Sequence, residues 1–243
     1  MKAVKILMMA GALAIATPAF AQFSNASAGA RSTGGSSMVK DTNPYDRLSI
    51  SYQNEKYSID RKNADDYSTN GIAIDYLHGF SVSKTLPIFI ETGIGANFGF
   101  YNDSETFDEG STYEYEHKIS TKTINLAIPV NVAYKFGINN DFAITPYLGL
   151  NFKLNVFSET TNKREYADED VQEDYGSTHT NNNFDKKDVG KDYTWNRFQL
   201  GWHIGVGIDY KALYVGLTYG TDFMEIAKKV NTSTFKIGVG FNF

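Results

Sequence analysis

Cysteine is absent from this 243-residue sequence, and proline is scarce, with five residues. Without cysteine the chain can form no disulfide, no thiolate metal site and no cysteine nucleophile. After the first twenty residues no run of about 18 apolar residues occurs, so no membrane-spanning helix is predicted. Positive charge is also in deficit, because 28 acidic residues outnumber 23 basic ones. This balance argues against nucleic acid as a partner.

The N-terminus has the three parts of a secretory signal. Lys2 and Lys5 precede apolar residues 6–16, and an Ala-Phe-Ala sequence ends at Ala21. This order predicts a signal peptide over residues 1–21 that is removed on export. An N-terminal core helix is the alternative.

The rest of the chain divides into a leader and one domain. Residues 22–44 are rich in Ser, Ala, Gly, Asn and Thr and show no periodicity. This composition predicts a flexible leader on the periplasmic side of a membrane domain. Residues 45–243 form the predicted domain.

The last eleven residues, 233–243, alternate strictly between apolar and small or polar side chains. A period of two is typical of a β-strand with one apolar face. A strand needs about 9–11 residues to cross a bilayer at a tilt, and this stretch has that length. We therefore expect a β-barrel of the outer membrane, closed by this strand. Its apolar face carries Phe235, Ile237, Val239, Phe241 and Phe243.

Seven further stretches show the same alternation. The connections after the second, fourth and sixth strands are short, and the others are longer, which places all long loops at one end. The prediction is an all-β fold, an eight-stranded antiparallel up-and-down transmembrane β-barrel with short periplasmic turns and long extracellular loops. The seven stretches are residues 46–59, 69–83, 87–101, 118–136, 142–157, 195–210 and 213–224.

The polar faces of these strands carry seven charged residues. A Lys or Arg facing lipid at the bilayer midplane costs about 2–4 kcal/mol, so these charges should face the lumen. A soluble, lipocalin-like barrel would instead bury its apolar face inside. Because side chains fill an eight-stranded barrel, we expect the charges to pair and plug it, with a narrow ion path as the alternative. The predicted network is Asp75, Glu91, Lys135, Lys153, Arg197, Asp209 and Lys236.

No pattern predicts a cofactor or a metal. His203 falls on the lumenal face without a second His or Cys at metal spacing, which favours a hydrogen-bonded core histidine. His117, beside Glu116 and near Ser120, is the one arrangement that would suit a lipid-A-modifying enzyme.

The two longest predicted loops, residues 102–117 and 158–194, are strongly acidic. They predict either a solvated cell surface or recognition of cations or a basic partner.

Four motifs resemble those of bacterial eight-stranded outer-membrane β-barrel proteins, in particular the PorT-like group with an outer membrane protein beta-barrel domain. They are N-L-A-I-P-V-N-V-A-Y-K-F at 125–136, P-Y-L-G-L at 146–150, G-V-G-I-D-Y-K at 205–211 and the terminal F-K-I-G-V-G-F-N-F.

The resemblance implies an outer-membrane location, with outer-membrane lipid and lipopolysaccharide as surroundings. It also implies that Ile237, Val239, Phe241 and Phe243 form the signal that the barrel-assembly machinery recognises. We expect a non-enzymatic structural or surface-interaction role for the acidic loops. The alternative is a small pore or a membrane component of a secretion or transport assembly. Either role would involve an extracellular or secretion-complex protein partner.

Overall fold

A computed structural model of the chain describes residues 41–62 and 64–243. The predicted signal peptide, 1–21, and the leader up to residue 40 lie outside the described residues. The described chain contains ten strands and two short helices. The strands are β1 (Tyr45–Ile59), β2 (Tyr67–Ser81), β3 (Ile88–Phe107), β4 (Tyr115–Tyr134), β5 (Phe136–Gly137), β6 (Phe142–Tyr166), β7 (Ser177–Asn182), β8 (Phe198–Tyr210), β9 (Leu213–Asp222) and β10 (Val230–Asn242), and the helices are α1 (Glu169–Tyr175) and α2 (Lys186–Val189).

Eight strands form a closed antiparallel ring. Each pairs with its neighbour in the order β1, β2, β3, β4, β6, β8, β9 and β10, and β10 returns to β1. The closing ladder runs from Arg47↔Asn242 to Ile59↔Val230. The two-residue β5 continues the β4–β6 ladder after Lys135, and the six-residue β7 pairs with the far end of β6, beyond the β6–β8 ladder. The predicted fold class is confirmed. None of the described helices has the length and apolarity to cross a membrane.

The apolar face of each strand lies outside the ring. Leu48, Val132 and Phe241 are 51%, 56% and 60% exposed, whereas the inward-facing Glu91 and Gln199 are fully buried. Successive strand side chains point to opposite faces, so the alternation of the sequence becomes an apolar exterior and a polar lumen.

Close packing in the lumen requires glycine, as two positions illustrate. A Cβ on Gly205 would lie 2.3 Å from the ring of Tyr147, and one on Gly216 would lie 2.2 Å from the hydroxyl of Tyr214. The glycines therefore make room for tyrosine rings that cross the lumen.

The loop end differs from the prediction. β3 continues to Phe107 and β4 begins at Tyr115, so most of the predicted loop at 102–117 is strand. The predicted loop at 158–194 begins with the last third of β6 and contains α1, β7 and α2. Hydrophobic periodicity could not indicate these strands, because water reaches both of their faces. We call the four-stranded sheet of residues 102–121 and 158–182 the extension.

Candidate functional site

The lumen near the short turns is organised around Arg47. Its guanidinium lies between two buried carboxylates, with Nη1 at 3.3 Å from Glu91 Oε1 and Nη2 at 3.7 Å from Asp209 Oδ1. It lies 3.7 Å from the ring centroid of Tyr214, in cation–π geometry. Its Nε donates to Asn242 Oδ1 at 2.9 Å. One cation thus joins β1, β3, β8, β9 and β10 across the lumen.

Neutral groups satisfy the remaining oxygens of these carboxylates. Asn131 Nδ2 donates to Glu91 Oε2 at 3.0 Å, and Thr145 Oγ1 donates to Asp209 Oδ2 at 3.0 Å. His203 Nε2 lies 2.6 Å from Asn131 Oδ1, so this histidine belongs to the hydrogen-bond network. Buried charges that are paired and hydrogen-bonded in this way avoid most of the penalty of leaving water.

A second cluster lies nearer the loop end and surrounds Lys153. Its Nζ lies 2.9 Å from Glu55 Oε1 and 2.5 Å from Asp222 Oδ2, and all three side chains are about 5% exposed. Tyr57 donates its hydroxyl to Glu55 Oε2 at 3.0 Å, and the Thr232 hydroxyl donates to Asp222. As in the Arg47 cluster, one cation forms ion pairs with two carboxylates.

A smaller pair joins β10 to β2. Lys236 Nζ lies 3.7 Å from Asp75 Oδ2 and donates to Asn97 Oδ1 at 2.7 Å. Asn97 in turn donates to Asn125 Oδ1 at 2.6 Å. Arg47, Lys153 and Lys236 all line one cavity of about 90 Å³.

Five of the seven residues predicted for the lumenal network lie in these clusters: Asp75, Glu91, Lys153, Asp209 and Lys236. Lys135 lies after the end of β4 at the turn end, where its Nζ is 2.8 Å from Asp41 Oδ2 and 5.2 Å from the Tyr45 ring centroid. Although burial disfavours its charge, hydrogen bonds from Lys135 and Asn43 lower the pKa of Asp41.

Arg197 does not lie in the lumen, which corrects that prediction. β8 begins at Phe198, the residue after Arg197, whereas the sequence predicted that it begins at Trp195. The Arg197 guanidinium donates to Asn155 O at 3.3 Å and Val156 O at 3.2 Å, and it lies 4.1 Å from the ring centroid of Phe184. The β4–β6 register shifts at this place, so Arg197 binds carbonyls beside a β-bulge.

Sequence reasoning also missed three lumenal charges, Arg47, Glu55 and Asp222. Each lies an even number of residues from side chains of the same strand that face the lumen, so the alternation places it on the inward face as well. Arg47 precedes the inward Ser49, and Glu55 follows the inward Gln53. Extending that period to the strand ends would have found them.

An apolar cap covers the lumen at the loop end. Tyr57 and Ile226 are 1% exposed and pack with Ala227 and Val230. Tyr57 stacks on Tyr67 at 4.7 Å and on Trp195 at 5.3 Å between ring centroids. We call these residues the cap: Tyr57, Tyr67, Trp195, Ile226, Ala227 and Val230.

Polar contacts tie the loops around the cap to one another. Arg61 Nη2 donates to the backbone oxygens of Asp192 and Lys228, at 2.6 Å each. Lys228 Nζ lies 2.8 Å from Asp192 Oδ2, and this hydrogen bond lowers the pKa of that carboxyl. The Arg61 guanidinium also lies 4.0 Å from the ring centroid of Tyr193. Three loops are therefore held together above the lumen.

The extension has two faces of different chemistry. The face that continues from the lumen, called the inner face, carries Phe107, Tyr115 and Tyr166 in one cross-strand row. On the outer face, Lys118 pairs with Glu116 at 3.0 Å and with Glu165.

The three residues considered above for an enzyme site do not share one face of the extension. His117 belongs to the inner face, whereas Glu116 and Ser120 belong to the outer face, because adjacent strand residues point in opposite directions. These three side chains therefore form no common site. In residues 41–62 and 64–243, no group of three or more acidic or histidine side chains is arranged to hold a metal ion.

The four residues of the predicted assembly signal lie on the outer face of β10 and at the chain end. Ile237, Val239, Phe241 and Phe243 are 45%, 56%, 60% and 73% exposed. Phe243 exchanges two backbone hydrogen bonds with Asp46, at 2.9 and 3.0 Å. The side chains therefore face lipid while the backbone closes the ring.

Comparison with known proteins gives a family and several similar folds. A family model described as outer membrane protein beta-barrel domain matches residues 20–225. No curated protein sequence matches the chain. Three similar solved structures are the attachment invasion locus protein Ail of Yersinia pestis (12% identity, TM-score 0.36, covering 82% of this chain and 98% of Ail), Neisserial surface protein A (11%, 0.38, 82% and 97%) and a major outer membrane protein of Thermus thermophilus (12%, 0.39, 81% and 99%).

Proposed function

This chain belongs to the outer membrane protein beta-barrel domain family, and we propose that it is a closed, non-enzymatic scaffold whose extension contacts molecules outside the cell. As a β-barrel of this family it is an integral protein of the outer membrane. The observation that carries the proposal is the extension, a paired sheet that continues β3, β4 and β6 beyond the barrel.

The extension is not needed to close the ring. The ladder from Asn102↔Ser120 to Phe107↔Tyr115 and its continuation into β6 lie beyond the last β2–β3 pair, Asn70↔Phe100. Backbone ordering costs about 1–2 kcal/mol for each residue, and this sheet has no apolar core to offset that cost. A surface role outside the bilayer accounts for keeping these strands ordered.

The closed lumen supports a scaffold more than a pore. The cap covers the loop end, and Tyr45, Phe89, Ala133 and Tyr147 pack together near the turn end. Between them the Arg47 and Lys153 clusters cross the interior. Purified protein in planar bilayers should therefore show no conductance steps, and regular steps would contradict the closed scaffold.

The contact role is tested by trimming the extension. Residues 103–119 and 162–179 are each replaced by Asn-Gly, which joins Asn102 to Ser120 and Thr161 to Thr180 through two-residue turns. The cap remains, because none of its residues is removed. A matched control replaces Lys84 and Thr85, at the turn end, with Asn-Gly.

Cells that display each protein are tested for adhesion to immobilised acidic, neutral and basic proteins. Heat-dependent electrophoretic mobility should show that the trimmed barrel still folds. We expect the intact and control proteins to promote adhesion to at least one surface and the trimmed protein to lose it. Equal adhesion of the intact and trimmed proteins on every surface would refute the contact role.

A further inference from the structure

The tip of the extension carries a connected row of aromatic rings. Phe107 stacks on Tyr115 with centroids 5.1 Å apart, and Tyr115 contacts Tyr166 at 5.2 Å. Tyr175, at the end of α1, lies 6.3 Å from Tyr166 and 6.5 Å from Tyr113. β3, β4, β6, α1 and the β3–β4 turn thus contribute to one surface. We call these five aromatic residues the aromatic row.

The two outermost rings of the row face solvent. Tyr113 and Tyr175 are 59% and 57% exposed. Within the described part of the chain, the phenol hydroxyls of Tyr113, Tyr115, Tyr166 and Tyr175 have no hydrogen-bond partner. These rings therefore offer both a π surface and a polar group to a partner.

Negative charge surrounds the aromatic row. Residues 105–116 and 164–176 contain eleven carboxylates and a single Lys or Arg, which is Arg164. Seven of the carboxylates form neither an ion pair nor a hydrogen bond within the described part of the chain. Those seven are Glu105, Asp108, Glu109, Glu169, Asp170, Glu173 and Asp174.

The row already holds one cation. The Arg164 guanidinium lies 4.8 Å from the ring centroid of Tyr115, on the strand next to it. A guanidinium over a tyrosine ring is attracted by the ring quadrupole, and carboxylates beside it add charge attraction. The exposed rings of Tyr113 and Tyr175 have the same neighbours, aromatic and acidic, but no cation from the described part of the chain over them.

We propose that the aromatic row and its carboxylates bind an arginine-rich segment of an extracellular protein. This inference rests on the contact role proposed above and names the chemistry of the partner. Arginine fits better than lysine, because a planar guanidinium stacks on a ring and donates to a carboxylate in the same pose. A chain of several cations matches a surface on which rings and carboxylates alternate over two loops and three strands.

The test uses full-length protein in lipid vesicles and fluorescent octa-arginine as the probe, with anisotropy as the measurement. Tyr113→Leu/Tyr175→Leu removes two exposed rings, and Glu173→Gln/Asp174→Asn removes two carboxylates near the C-terminal end of α1, where negative charge does not support the helix. The matched controls are Tyr193→Leu, a tyrosine 58% exposed outside the tip, and Asp60→Asn/Asp65→Asn in the β1–β2 loop.

We expect the intact protein to bind octa-arginine and to lose affinity as salt rises. Each lost ring should weaken binding by about two- to five-fold, the value of an exposed cation–π contact. The carboxylate variant should also bind more weakly, and both controls should bind as the intact protein does. Octa-lysine should bind more weakly than octa-arginine.

Absence of octa-arginine binding, or equal affinity of the Tyr113→Leu/Tyr175→Leu and Tyr193→Leu proteins, would overturn the inference. Equal affinity for octa-lysine would overturn the choice of arginine. The two proposals fail separately. If trimming abolishes adhesion while octa-arginine does not bind, the inference fails and the contact role stands. If octa-arginine binds the tip while trimming leaves adhesion unchanged, the contact role fails.

Discussion

Removing the buried charge of Lys153 should strongly destabilise the barrel. Its ammonium lies within 2.9 Å of Glu55 and 2.5 Å of Asp222, in a part of the lumen where the three side chains are about 5% exposed. Lys153→Met keeps the length of the side chain and removes its charge, which leaves two buried carboxylates facing each other. Removing one partner of a buried ion pair costs about 3–5 kcal/mol.

The loss can be measured as the change in free energy of unfolding in urea, with protein folded reversibly in detergent micelles. The control is Lys56→Met, because Lys56 lies at the same 2.9 Å from Asp66 but both side chains are about one-third exposed. Water screens that pair, so its loss should have far less effect.

A triple variant separates buried charge from packing. Lys153→Met with Glu55→Gln and Asp222→Asn removes all three charges and keeps oxygen acceptors for Tyr57 and Thr232. Replacing every member of a buried charged network by an uncharged residue often changes stability little. The triple variant should therefore recover most of the free energy of unfolding. A loss of no more than about 1 kcal/mol for Lys153→Met, or no recovery in the triple variant, would refute the reasoning.

Three further predictions concern the lumen, the cap and the loops. Gly216→Val should lower the free energy of unfolding by about 1–3 kcal/mol, because its side chain would displace Tyr214 from Arg47, and urea unfolding measures it. Tyr57→Ala should cost about 3–5 kcal/mol in the same assay, since its ring is 1% exposed and stacks on two others. The hydrogen bond from Lys228 lowers the pKa of Asp192 in the folded protein, so this pair stabilises the loops at neutral pH. The stabilisation is lost as the pH falls through the pKa of Asp192 in the folded protein. The carboxyl should titrate at lower pH in the native protein than in Lys228→Met, as measured by NMR, and equal midpoints would contradict it.

The eight ring strands could be predicted because lipid imposes a strict pattern on them. Every second residue of β10, from Phe235 to Phe241, must be apolar, and this constraint is visible in the sequence. The same period located Glu91, Lys153 and Asp209 on the inner wall. It could not show which carboxylate meets which cation, because that depends on contacts across the barrel between strands far apart in sequence.

The extension could not be predicted from periodicity. Ser104, Thr106 and Ser120 are as polar as their neighbours, because both faces of the extension meet water. These strands persist through backbone pairing that continues from the barrel, and pairing alone leaves no apolar signature. Arg197 was misplaced for a related reason. It continues the inward period of β8, yet its backbone oxygen accepts from Asn155 N at 2.7 Å and its side chain turns toward the bulge.

The bulge at Val156 connects the barrel to the extension. On the turn side of the bulge Asn155 faces the lumen, and on the loop side Ser158 does. Odd-numbered residues of β6 therefore face inward before the bulge and even-numbered residues after it, because one residue is extra. Without that shift, Tyr166 would point to the outer face and leave the aromatic row. A β-bulge also increases strand twist and exposes backbone groups, and Arg197 binds the freed carbonyls while its guanidinium packs on Phe184. The direction in which the extension presents its rings is therefore determined where β6 leaves the lumen, by one inserted residue and one arginine.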